Sequence, residues 1–290
     1  MAWNASLELD YTLRPLGTPL GSNRTVAHFQ HNGPLRILQS LYPEGQSICH
    51  NVLVHPPGGL AGGDTIDLRL KVATGAHGLV TTPGATRFYR TDGEPAAQRT
   101  AITLAAHARM EWLPLETIAF NGCAAENRLT MALEPGAELI GWDVTALGLP
   151  AANKPFEAGS FCQYLEVPGV WLERACIQAS DKLLLDSPTG LAGQRCFATL
   201  FFVCGSPLGK ARRQALLDAA RSVIDMPALR LLALTGQVTA GATSPHAQVV
   251  LVRVMAPLVE PAMTLLRAVW QSWRSQVWGV DGAAPRIWST

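Results

Sequence analysis

Three stretches of the chain share one plan. "LKVATGAHGLV", "ITLAAHARMEW" and "MALEPGAELIGW" each run from an apolar strand end through a turn to an alanine, then into a second strand. The matching alanines are Ala76, Ala108 and Ala137, about 30 residues apart. A period of that size belongs to stacked coils, each burying its apolar face against the next, and not to a Rossmann sheet. The strands carry the right local pattern. "TIDLRLKV" alternates Ile66, Leu68, Leu70 and Val72 with Asp67, Arg69 and Lys71, which gives one buried and one wet face. "RLTMAL" repeats the alternation with Leu129, Met131 and Leu133. Turn pairs such as Gly33-Pro34, Pro83-Gly84, Asp92-Gly93, Asn121-Gly122 and Pro135-Gly136 punctuate the first two thirds. No helical stripe falls between the repeats. The expectation is a mainly β, solenoid-like body.

Helical spacing arrives late. Ser206-Pro207 has the chemistry of an N-cap and first helical residue, and Leu216, Ala220, Val223 and Ile224 follow at helical intervals until Pro227. A second helix is expected to begin near Pro261 and to carry Leu265, Leu266, Val269, Trp270, Trp273 and Val277. These helices either pack on the sheet or offer a docking face to a helical partner. Charged residues make up only 16% of the chain and hydrophobic residues 48%, against about 25% charged in ordinary domains. Part of the surface, with Val269, Trp270 and Trp273 foremost, is therefore expected to be covered by another protein.

A net charge of +1 supplies no field that would select nucleic acid or an anionic membrane. The segment "RFYR" at Arg87–Arg90 mixes base and aromatic, but one such patch fits packing or partner contact better than nucleic acid. "MAWNASLELDYTL" has no basic region followed by an apolar run, so no signal peptide is read there. The charge-free stretch between Arg230 and Arg253 is interrupted by Gly236, Gly241 and Pro245, which speaks against a membrane helix. The expected location is cytoplasmic. Six cysteines without a CxxC pair are expected there as reduced, partly buried thiols, and their spacing carries no zinc signature.

The decapeptide "HPPGGLAGGD", His55 to Asp64, holds four glycines and two prolines. A phosphate loop would continue into Lys and Ser/Thr; an aspartate at that point repels phosphate. The plain reading is a sharp corner between two strands. No GxSxG, HExxH or kinase signature occurs, and no spacing sets a nucleophile beside a base.

"GPLRILQSLYPEG", "CHNVLVHPPGGLAGGDTIDLRLKV", "TTPGATRFYRTDG", "ARMEWLPLETIAFNG", "IGWDVTALGLP" and the closing "PRIWST", in that order, resemble the urease accessory proteins of the UreD (UreH) family. The likeness runs from about Gly33 to about Leu200 and resumes at the C-terminus. It implies one UreD-type domain over 1–290: a right-handed β-helical body at about 1–205 and 230–256, with helical elements at about 207–226 and 258–278. It implies a non-enzyme with no tightly bound cofactor, through which Ni²⁺ passes in transit on its way into apo-urease. The implied partners are a UreF-type helical protein, a UreG-type GTPase and apo-urease, with no nucleic acid and no membrane. A water-filled passage is the implied nickel route. His55 and Asp64, flanking the glycine-rich corner, are candidates to face it, together with Glu116, Asp143 and Glu173 from the matched motifs and nearby strand. Ni²⁺ accepts imidazole and carboxylate, and transit suits scattered single ligands better than a cage. Each carboxylate has an alternative reading as a surface or salt-bridge residue. Two rival functions stand beside this one: a metal-dependent hydrolase on a β-helix, and a purely structural assembly protein without a metal role.

Overall fold

The computed structural model of the chain describes residues 2–16, 23–229, 238–281 and 284–289. Residue 230, the expected start of the second β stretch and of the charge-free stretch, lies outside the described residues. The chain opens with β1 (Asn4–Pro15) and β2 (Asn23–Asn32), then β3 (Arg36–Leu41) and β4 (Ile48–Val54). Four coils follow: β4, β5 (Gly59–Leu60) and β6 (Thr65–Val72); β7 (His77–Thr81), β8 (Thr86–Phe88) and β9 (Ala96–Leu104); β10 (Arg109–Leu113), β11 (Thr117–Ala119) and β12 (Cys123–Leu133); β13 (Glu138–Leu147) and β14 (Gly159–Val167). β15 (Trp171–Gln178), the short helix α1 (Lys182–Asp186), β16 (Cys196–Cys204), α2 (Lys210–Ile224), β17 (Thr239–His246), β18 (Val249–Ala256) and α3 (Val259–Trp278) complete it.

The coils stack in parallel register. β6, β9, β12 and β14 form the middle of one sheet, which β15 closes at one edge and β1 and β2 at the other. β4, β7, β10 and β13 form a second sheet, extended antiparallel by β16, β18 and β17. The alanine repeat is the turn between the two sheets. Ala76, Ala108 and Ala137 are fully buried, and each closes a turn on the carbonyl three residues earlier. The residue before each alanine, Gly75, His107 or Gly136, has a positive φ. At Gly136 glycine is required twice over, since a Cβ there would also lie 2.5 Å from the His107 ring of the preceding coil. The carbonyls of Ala76 and Ala108 then accept from Arg109 and Glu138 of the next coil, at 2.8 and 2.9 Å.

One apolar core lies between the sheets, built on Leu7, Leu68, Ile102, Met131, Phe161 and neighbours. A second lies between the β16-containing sheet and the helices, with Trp142, Phe202, Leu216, Trp270 and Trp273. Val269, Trp270 and Trp273 are fully buried inside the chain. This corrects the expectation that they form a surface awaiting a partner: fully burying one such side chain stabilises by about 1.5–3 kcal/mol, and sheet packing supplies that. The C-terminal turn (Arg286–Ser289) docks on the same core, where Trp288 donates to the Thr81 hydroxyl at 2.8 Å.

A buried polar cluster fastens α3. Arg274, fully buried, holds Glu44 with two nitrogens at 2.9 and 3.0 Å, and its Nε lies 2.9 Å from Glu111. The Glu111 carboxylate also accepts from Trp270 at 2.7 Å and pairs with His77 at 2.9 Å, while His50 lies 2.8 Å from Glu44. Burial alone would raise the Glu44 pKa; hydrogen bonds from His50 and Arg274 outweigh it and hold the carboxyl at about 2.

Two further expectations need correction. α2 begins at Lys210 with Gly209 as N-cap, not at Ser206-Pro207. The Ser206 hydroxyl instead accepts from the Gly136 amide, and the Leu208 amide is tied to the Ala247 carbonyl, so the chain cannot coil until it clears these contacts. α3 does begin where expected, at Val259 and so near Pro261, a residue its first turn tolerates because the amides there have no helical partner. The cysteines are not all reduced. Cys162 and Cys176 face each other across β14 and β15 and are joined as a disulfide. Cys49, Cys123, Cys196 and Cys204 are free and buried.

Candidate functional site

The strand periodicity puts polar side chains where apolar ones are expected. On the sheet of β9, β12 and β14 the inward positions include Gln98, Asn127 and Gln163, each buried to within 9% exposure. Parallel register sets them side by side, Gln98 beside Asn127 and Asn127 beside Gln163. The opposing sheet carries a second row, Thr86 beside Thr117 and Thr117 beside Thr145. Amides and hydroxyls thus face each other inside the solenoid. Polar groups in such a place cost free energy unless bonded or hydrated.

Space runs along these rows. A cavity of about 140 Å³ is lined by His55, Thr86, Arg87, Gln98 and Trp112 among others. A smaller void of about 10 Å³ shares Thr86, Gln98, Trp112 and Pro114 with it and reaches Asn127 and Asp143. That is about the room one water needs. A separate cleft of about 420 Å³ is lined by Glu173, Thr199, Gly241 and Arg253.

Asp143 sits at the narrow point. Its Oδ2 accepts from Asn127 at 2.8 Å, and Oδ1 accepts from Gln163 and, at 3.3 Å, from Thr145. Burial pushes its pKa up to about 6; the three donors resist that rise and the charge of Glu173 adds to it. Thr199 lies beside Asp143 in the β13–β16 register, and Arg253 beside Thr199 in the β16–β18 register. The Thr199 hydroxyl donates to Glu173 Oε1 at 2.9 Å. Asp143 and Glu173 are therefore brought to one end of the polar rows.

His55 is at the other end. It lines the larger cavity, packs on Trp3 with ring centroids 5.1 Å apart, and has a buried Nε2 without a hydrogen-bond partner. Desolvation lowers its pKa and Asp64 opposes the shift. Asp64 itself is a clasp: Oδ1 accepts from the Trp3 amide at 3.0 Å and Oδ2 from the Ala61 amide at 2.8 Å. The glycine-rich segment between them is the expected corner. Gly63, at φ +79°, forms the turn that Asp64 closes on the Ala61 carbonyl. Glu116 lines neither cavity; its charge acts on Arg267 of α3 and on Cys196. Among the described residues no three His, Cys, Asp or Glu side chains are grouped so as to hold a metal ion. Among the described residues no helix is long and apolar enough to cross a membrane.

Residues 4–289 match the family described as UreD urease accessory protein. The urease accessory protein UreD of Polaromonas naphthalenivorans (strain CJ2) is 67% identical over 289 residues, covering all of both chains. That of Variovorax paradoxus (strain S110) is 61% identical over 290 residues, and that of Methylibium petroleiphilum 48% identical over 302, again over both whole chains. With its solenoid, its late helices and this full-length likeness, the chain belongs to the UreD family of urease accessory proteins.

Proposed function

We propose that this chain is a non-catalytic scaffold of urease maturation that joins apo-urease to a UreF-type helical protein and a UreG-type GTPase, and that nickel crosses it along the buried polar rows. One observation carries the nickel reading: hydroxyls, amides and the Asp143 carboxylate line two linked cavities in an interior that is otherwise apolar, and Glu173, in a neighbouring cleft, is close enough for its charge to act on Asp143. The neutral rows can hydrate an ion without holding it. Asp143 and Glu173 then draw it onward as single oxygen ligands. His55, with an unpartnered ring nitrogen at the far end, is the entry ligand in this reading. Asp64 supports it indirectly, by fixing the corner on which His55 stands.

The experiment compares Asp143→Asn, Glu173→Gln and His55→Gln, each co-expressed with urease and its accessory proteins. Co-purification reports assembly and urease activity reports activation. The expected result is intact assembly, slower activation and partial rescue by added nickel. Normal activation by all three variants with intact assembly would reduce the role to structural assembly alone. Scaffold action without chemistry also requires that the purified chain hydrolyse neither GTP, ATP nor urea; turnover above contaminant level would restore the hydrolase reading.

A further inference from the structure

Both oxygens of Glu173 are engaged. Thr199 occupies Oε1, and Oε2 accepts from two nitrogens of Arg253, Nη2 at 2.5 Å and Nε at 3.2 Å. A divalent cation leaving Asp143 for Glu173 would need these same oxygens. The guanidinium and the cation carry like charge, so they compete for these oxygens and each weakens the other's hold. We propose that Arg253 is the plug of the cation route, seated on Glu173 at rest and displaced when a divalent cation arrives. This rests on the nickel reading above and adds its gate.

Three features fit a plug better than a permanent clamp. The Arg253 side chain is 53% exposed and Glu173 21%, so solvent screens the pair and holds it weakly. Arg274 shows the contrast: at 1% exposure it grips Glu44 with two nitrogens. There is also somewhere for the guanidinium to go. Gly241 lies opposite Arg253 in the β17–β18 register, both line the same cleft, and a Cβ at Gly241 would meet nothing within 4 Å. Finally, Arg253, Thr199 and Asp143 are consecutive in register across three strands, so the plug lies one strand beyond the last hydroxyl before Asp143.

The test titrates nickel chloride into the purified full chain in competition with a chromogenic chelator. The variants are Arg253→Gln, Arg253→Lys, Glu173→Gln, the double variant Arg253→Gln/Glu173→Gln, and Asp143→Asn, each with its thermal midpoint measured. Emptying the plug site should tighten nickel binding about tenfold, or about 1.4 kcal/mol. Arg253→Lys, still cationic but without the two-nitrogen grip, should fall between. Glu173→Gln should weaken binding, and the double variant should match it, because the plug acts only through that carboxylate. If Arg253→Gln melts early, Arg253→Met, which keeps an unbranched stem, replaces it. Unchanged or weaker binding by the uncharged Arg253 variant, with Glu173→Gln still weakening it, overturns the plug and leaves the route standing. If neither Glu173→Gln nor Asp143→Asn alters binding, the route falls and the plug with it.

Discussion

Asp143→Asn separates a buried charge that is tolerated from one that is structural. Among the described residues no cationic side chain bonds to Asp143; its neighbours are two amides, a hydroxyl and, across the gap, the charge of Glu173. Burial raises its pKa from 3.8 to about 6. Because the folded value lies above the unfolded one, the folded chain holds an extra proton between about pH 4 and pH 6. The stability linked to this group is full below about pH 4 and is lost as the pH rises through 6. A shift of about two units corresponds to about 3 kcal/mol. Asparagine does not titrate, so that slope should vanish. Its own amide will meet one of the two donors from Asn127 and Gln163, an offset of about 1–3 kcal/mol that is the same at every pH. The clean quantity is thus the change with pH: between pH 4 and pH 7.5 the variant should gain about 3 kcal/mol on the parent. Urea unfolding of both proteins at four pH values measures it. A relative stability that is flat with pH would show a carboxyl unshifted by folding, and one that falls would show a carboxylate paired with positive charge; either result sinks the reasoning.

Arg274→Met should cost about 3–5 kcal/mol, since it strands the Glu44 and Glu111 carboxylates in the interior, and the loss should appear as a lowered urea midpoint. Gly78→Ala would place a Cβ 2.5 Å from the buried Tyr11 ring, so about 1–3 kcal/mol is expected; Gly84→Ala, with nothing within 4 Å, should stay within about 0.5 kcal/mol in the same assay. Thiol titration of the unfolded chain should find the four free cysteines without reductant and all six after reduction. Six without reductant would refute the Cys162–Cys176 bond.

The solenoid was legible because its rule is local. Alternation in "TIDLRLKV" sets one face of β6, and the turn before each repeated alanine needs only its own residues. The amide row was legible too, and was missed. Gln98, Asn127 and Gln163 occupy inward positions of period-two strands at roughly one coil apart. A polar residue recurring at a core position of a repeat is a signal that a residue-by-residue search for charges passes over. Other features were beyond reach. Glu173 meets Arg253 across 80 positions, Arg274 meets Glu44 across 230, and no pattern in either segment announces the other. Cys162 and Cys176 pair only because β14 and β15 turn back on each other at Val167–Trp171. The Ser206-Pro207 cap failed for a similar reason: the hydroxyl that would cap the helix is engaged by Gly136, 70 positions earlier.

The placement of β1 has a consequence during synthesis. It lies between β2, its antiparallel neighbour, and β6, with which it pairs in parallel from Asn4 with Thr65 to Tyr11 with Val72. At about 5–20 residues per second, ribosomes need roughly 3–12 s to bridge such an interval of some 61 positions. The hairpin with β2 can form at once and satisfy one edge. The other edge, with Leu7, Leu9 and Tyr11 on its apolar face, must wait for β6. A nascent chain of this kind is most exposed to misassociation at its very first strand, and slowing elongation between codons 16 and 72 would lengthen that exposure.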